Sequence, residues 1–133
     1  MKTVLVVDDE PVLRILVREI LQDEGYAVID AADGRSMLEV LEGVHPDLVL
    51  MDVMMPGVDG WEAYQILRSG ADLPDLPVVM MSAAVPPSKL DPSITAFLRK
   101  PFDLAELLEL VARLIGPPEY DGRVCLPSSS KGP

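Results

Sequence analysis

The sequence predicts an α/β fold in which a parallel sheet carries helices on both faces. Short apolar runs of strand length alternate with stretches of helical period, and the alternation repeats five times along the chain, the signature of βαβ units. Of the 133 residues, 49% are hydrophobic and 25% charged, which suits one domain with a single core.

Thr3 to Val7 reads as the first strand. Pro11 then suits the first turn of a helix, and Leu13, Leu16, Val17, Ile20 and Leu21 fall at i, i+3, i+4, i+7 and i+8, one apolar stripe that Gly25 ends. Tyr26 to Ala31 is the second strand, Ser36 to Leu41 a short helix carrying Met37, Leu38 and Leu41, and Leu48 to Met51 the third strand. Gly60 to Arg68 reads as a helix with Trp61 and Tyr64 on one face, and Leu76 to Met81 as the fourth strand. Ala96 to Leu98 is a brief fifth strand. A last helix runs from Asp103 to Ile115, opened by Asp103 with Glu106 three residues on, a capping-box arrangement. Gly116-Pro117-Pro118 stops it. The pattern thus assigns residues 1–116 to the domain and residues 117–133, rich in Pro, Gly and Ser, to a flexible tail.

A formal charge of −11 without any cluster of Lys and Arg argues against nucleic acid and against an anionic membrane as partners. It favours solubility and affinity for divalent cations or basic protein surfaces. The longest apolar runs, such as Val4 to Val7, fall far short of the roughly 20 residues that span a bilayer. Asp8-Asp9-Glu10 ends the first of them too early for a signal peptide, so a cytoplasmic protein is expected. A single cysteine, Cys125, excludes an internal disulfide or a multi-cysteine metal site and agrees with a reducing compartment.

The stretch DLVLMDVMMPGVDG, from Asp47 to Gly60, places a carboxylate directly after an apolar run. A buried carboxylate must be paired, exposed at a strand end or used, because leaving it unpaired costs several kcal/mol. In an open parallel sheet the chemistry collects at the carboxyl ends of the strands. Asp8 and Asp9 follow the first predicted strand, Asp52 the third, Ser82 the fourth and Lys100 the fifth. Taken singly, each has a plainer role: Asp9 as a helix cap, Ser82 as a strand-end hydroxyl, Lys100 as a solvated side chain, Asp59-Gly60 as a turn. Jointly, three gathered carboxylates repel one another unless a cation neutralises them. A hard divalent ion with oxygen ligands, Mg²⁺, fits such a set. Met55, Met80 and Met81 read as packing and His45 as an exposed loop residue.

VLVVDDEP, LVLMDVMMPGVDG, VVMMSA and FLRKPF together resemble the receiver domain of bacterial two-component response regulators, of the single-domain, chemotaxis-regulator type. The resemblance covers residues 3 to about 115 and includes D-x-x-M-P-x-x-D-G from Asp52 to Gly60. It implies a five-stranded sheet of flavodoxin-like order 2-1-3-4-5, with Asp52 as phosphoacceptor. Asp8, Asp9, Asp52 and the backbone carbonyl of Met54 would hold Mg²⁺. Ser82 would bond the phosphoryl group, Lys100 would pair with it, and Phe97 stands where the family has its rotating aromatic switch. The family's K-P turn implies a cis Lys100-Pro101 peptide that aims the ammonium at Asp52. The implied function is to take a phosphoryl group from a histidine kinase or phosphotransfer protein and to signal by protein contact, without turnover of a separate substrate.

Two other folds of similar chemistry fit less well. An FMN binder needs small hydroxyl and Gly residues after the first strand, where DDEP would repel a phosphate. A haloacid-dehalogenase phosphatase has D-x-D, whereas Asp8 and Asp9 are adjacent. A receiver-like interaction module indifferent to phosphate is the stronger alternative. In AAVPPSKLDPSITAF, residues 83–97, Pro86, Pro87 and Pro92 leave only Ser88, Lys89 and Leu90 for the family's fourth helix, which is expected to be shortened or lost. Dimerisation through that surface should then be weak, giving a monomer or a pair formed through another face such as the first or last helix. With no output domain after residue 116 in this sequence, the expected output is contact with a downstream protein target.

Overall fold

The computed structural model describes residues 2–53, 60–69, 76–82 and 96–118. Within them lie β1 (Thr3–Val7), α1 (Pro11–Glu24), β2 (Ala27–Ala31), α2 (Gly34–Leu41), β3 (Leu48–Asp52), α3 (Gly60–Ser69), β4 (Val78–Ser82), β5 (Ala96–Arg99) and α4 (Leu104–Ile115). The strands form one parallel sheet in the order β2-β1-β3-β4-β5, as the resemblance implies. Every expected strand and helix among these residues is present, with ends displaced by a residue or two. One displacement matters, because β3 runs on to include Asp52.

Alternation along each strand sends successive side chains to opposite faces. On one face Leu5, Val7, Val49, Met51, Val78 and Met80 pack with Met37 of α2 and with Tyr64 and Leu67 of α3. On the other, Val4, Val6, Leu48, Leu50, Val79, Met81 and Leu98 pack with Val17 and Leu21 of α1 and with Leu107, Leu110 and Val111 of α4. Burial on both faces explains the unbroken apolar runs Val4–Val7, Leu48–Met51 and Val78–Met81 in the central strands. Residues of the α1/α4 face have even numbers in β1 and β3, so Asp8 and Asp52 continue that face at the carboxyl edge.

Local signals place the helix ends. Pro11 occupies the first turn of α1, and Gly25 ends it at φ 108°, a left-handed conformation that a residue with a Cβ adopts only at a cost. Asp33 caps α2, its side chain accepting from the Ser36 amide at 2.8 Å. That bond holds the Asp33 carboxyl below the usual range. Asp103 caps α4 by accepting from the Ala105 amide at 2.9 Å, one residue earlier than the capping box expects. The Tyr26 hydroxyl donates to the Gly116 carbonyl at 2.9 Å and the Lys2 ammonium donates to the Ile115 carbonyl, tying down the exit from α4. Among the described residues, no helix is long and apolar enough to cross a membrane.

The expected apolar stripe of α1 needs correction. Val17 and Leu21 are buried and Leu13 and Ile20 partly so, but Leu16 is 42% exposed, and Val12 and Ile15 beside it are 79% and 43% exposed. Five positions at helical spacing span more of the helix circumference than the sheet covers, so the stripe spills onto the surface. The fourth-helix expectation falls on residues 83–95 and the tail from residue 119 onward, both outside the described residues.

Candidate functional site

Strand register builds the site. Val7 lies opposite Met51 across β1 and β3, so the next residues, Asp8 and Asp52, stand side by side at the carboxyl edge. The ladder continues past the strand ends: the Asp8 amide donates to the Ala31 carbonyl at 3.1 Å and the Lys100 amide to the Ser82 carbonyl at 2.8 Å. Ser82 lies opposite Arg99, which delivers Lys100 to the same edge. The Lys100-Pro101 peptide bond is cis, as expected.

Asp8, Asp9 and Asp52 bring one carboxylate oxygen each to within 4.8 Å of one another. Asp8 is fully buried and Asp52 is 4% exposed, whereas Asp9 is exposed. The N-cap residue of α1 is Glu10, not Asp9, so the plainer role considered for Asp9 is not the one it has. Asp8 is held instead: its Oδ1 accepts from the Glu10 amide at 2.9 Å.

Lys100 answers two of these acids, Asp8 and Asp52, together with Glu10 beside them. Its Nζ lies 2.9 Å from Asp8 Oδ2, 3.4 Å from Asp52 Oδ2 and 3.2 Å from Glu10 Oε1. Burial alone would pull the ammonium down, but the hydrogen bond and charge of Asp8, then the Asp52 charge and the Glu10 bond, outweigh it and leave the pKa raised. The donor set, three carboxylates with two in a water-poor environment, suits a small hard cation and lacks the nitrogen or sulfur that a softer metal prefers.

Ser82 is 2% exposed at the end of β4. It shares a strand row with Val78 and Met80, which belongs to the α2/α3 face, and the half-buried Phe97 packs against that same layer, opposite Met80 in register. By strand parity Asp8, Asp52 and Lys100 continue the α1/α4 face and Ser82 and Phe97 the α2/α3 face, while Asp8, Asp52, Ser82 and Lys100 all stand at the carboxyl edge, where the two faces meet. Met54, expected to lend a carbonyl, lies outside the described residues.

Sequence reading missed three neighbours. Glu10 shares Lys100, Arg14 donates from Nη1 to the Asp8 carbonyl at 2.7 Å, and Asp30 of β2 lies 3.6 Å from Arg14 Nε. The signal available for Glu10 and Arg14 was their position at the start of the helix that follows two adjacent acids.

Comparison with known proteins matches residues 4–112 to the response regulator receiver domain model. The chain is 40% identical over 116 residues to the response regulator MprA of Mycolicibacterium vanbaalenii, an alignment covering 84% of this chain and 49% of that protein. It therefore spans about half the length of the MprA regulators it matches. Among solved structures, the chemotaxis response regulator CheY4 of Vibrio cholerae superposes with a TM-score of 0.79 at 34% identity, covering 86% of this chain and 98% of that one. TrrA of Thermotoga maritima, a response regulator solved in complex with Mg²⁺ and BeF, superposes at 0.77 with 35% identity, covering 86% and 99%. A carboxylate edge answered by one lysine, on a 2-1-3-4-5 parallel sheet, and a family match spanning residues 4–112 agree: the chain belongs to the response regulator receiver domains of two-component signalling.

Proposed function

We propose that this domain is a phosphorylation-driven switch in which Asp52 accepts a phosphoryl group with Mg²⁺ and the modified surface signals by protein contact. The observation that carries the proposal is the approach of Lys100 Nζ to both Asp8 and Asp52 beside the three-acid cluster. Asp8, Asp9 and Asp52 would hold the metal, with the Met54 carbonyl added from the resemblance. Bound Mg²⁺ would supply neutralisation of the charge on the equatorial phosphoryl oxygens.

The chain's own residues divide the remaining work. An Asp52 oxygen attacks phosphorus in line with the donor's phosphohistidine nitrogen. The new P–O bond makes an acyl phosphate, and the broken P–N bond leaves its electron pair on the imidazole. Lys100 then exchanges its contact with Asp52 for one with a phosphoryl oxygen. Ser82 donates its hydroxyl to the same group, and Phe97, in the same packed layer, passes the change to the surface. Loss of the group to water returns the domain to rest, so no separate substrate is turned over.

The donor is a histidine kinase or phosphotransfer protein. An apolar groove supports this, lined by Val12, Leu13 and Leu16 of α1 with Pro101, Phe102 and Leu104 and bordered by Glu10 and Lys100. Its continuity with Lys100 lets a docked donor present its histidine to Asp52. The charge of −11 without a basic cluster supports protein partners rather than nucleic acid or an anionic membrane surface, and the same reading places the domain in the cytoplasm. A monomer, or a pair formed through α1 or α4, rests on Pro86, Pro87 and Pro92 alone.

The test incubates the protein with Mg²⁺ and acetyl phosphate and weighs it intact by mass spectrometry. One added phosphoryl group is expected in the wild type and none in EDTA or in Asp52→Asn. An unlabelled wild type would favour the phosphate-independent module instead.

A further inference from the structure

Arg14 lies one turn into α1 and has no part in the chemistry above, yet it reaches the site through the main chain. Its Nη1 donates at 2.7 Å to the carbonyl of Asp8, the oxygen of the peptide that joins Asp8 to Asp9. The direction of that carbonyl fixes the rotation of the peptide plane and so the direction in which Asp9 leaves Asp8. Asp9 is exposed, its carboxylate repels that of Asp8, and adjacent residues naturally splay their side chains. The other polar groups of Asp8 are already held: its amide by Ala31, its carboxylate by the Glu10 amide and by Lys100. Arg14 holds the remaining one. Asp30 orients Arg14 in turn, with Oδ2 3.6 Å from Arg14 Nε, and Arg18 donates to that same oxygen at 3.0 Å.

We infer that Arg14, oriented by Asp30, is a positioning residue that fixes the Asp8-Asp9 peptide so that both carboxylates face one cation. The inference rests on the Mg²⁺-dependent reading above. Groups that hold a metal's ligands from behind set its affinity as well as its geometry. The sign of the effect separates this role from plain electrostatics. Removing a cation near three acids strengthens their attraction for Mg²⁺, whereas releasing the peptide weakens binding.

Isothermal titration of the whole chain with Mg²⁺ alone decides the matter, with thermal melts in EDTA to verify folding. Arg14→Met is expected to bind about tenfold more weakly than wild type, at the low end for such ligand-supporting groups. Arg18→Met removes the same charge from the same network without touching Asp8, and should stay within about twofold of wild type or bind more tightly. Arg14→Lys keeps the charge but cannot span both the Asp8 carbonyl and Asp30, so about threefold weakening is expected. Binding by Arg14→Met as tight as wild type or tighter overturns the inference, as does equal weakening in Arg18→Met. Should Arg14→Met fail to fold, unchanged binding by Arg14→Lys overturns it. A wild type that binds no Mg²⁺ instead overturns the metal-dependent reading itself, and the inference with it.

Discussion

Lys100 Nζ stands 3.4 Å from Asp52 Oδ2 and closer still, 2.9 Å, to Asp8 Oδ2. One ammonium therefore serves two buried carboxylates. Replacing it, as in Lys100→Met, leaves both without their cation, and breaking a buried pair in this way costs about 3 kcal/mol. Urea denaturation in EDTA should report that loss. Saturating Mg²⁺ should recover more stability in the variant than it adds to the wild type.

The same pair sets an alkaline limit. The Lys100 pKa is raised on folding, so the pair's contribution is complete below the ordinary lysine value of about 10.4 and is lost as pH rises through the higher folded value. As pH rises above about 10.4 the wild type should therefore lose stability more steeply than Lys100→Met. Tyr26, whose pKa is raised by burial and then by Glu24, titrates in both proteins, so only their difference reports on the lysine. Parallel stability curves would refute the assignment.

Clustered like charges are tolerated for function at the expense of stability. Asp52→Asn should consequently raise the unfolding free energy in EDTA by about 1 kcal/mol while abolishing phosphoryl acceptance. A variant less stable than the wild type would show that Lys100 already compensates the repulsion.

Much of the architecture was legible in the chain, for physical reasons that can be named. The run Leu48 to Met51 with Asp52 behind it reads as a buried strand ending in an acid that is paired, exposed or used, and β3 ends in a buried Asp52 that Lys100 approaches. Pro11, Gly25 and Asp103 mark helix ends through fixed φ, left-handed φ and a side-chain acceptor, and each does so here. The core partner of each α1 side chain was less legible. Leu16 has the same hydrophobicity as Leu13, and only the width of the sheet decides that Leu16 stays exposed. The hold of Arg14 on Asp8 was hidden for another reason: its acceptor is a backbone carbonyl, which no residue type announces. The assignment of Ser82 and Phe97 to the face opposite Asp52 depends on counting strand parity. Composition cannot supply it where both faces are apolar.

The exposure of Val12 at 79% and Leu16 at 42% beside Lys100 has a kinetic consequence. Val12→Asp should slow phosphoryl transfer from the donor protein by tenfold or more, roughly the effect of burying one unpaired charge in an interface. Labelling by acetyl phosphate, which needs no docking surface, should be unchanged. Equal slowing with both donors would place the defect in the site rather than in docking.

Asp52 should become an acyl phosphate, a species that chemical trapping identifies. Borohydride reduces an acyl phosphate to the alcohol, so phosphorylated aspartate is converted to homoserine while free carboxylates survive. After treatment with acetyl phosphate and Mg²⁺, peptide mapping should find homoserine at position 52 and intact aspartate at positions 8 and 9. Homoserine at either of those positions, or a borohydride-resistant phosphate on Ser82, would rule out Asp52 as the phosphoacceptor.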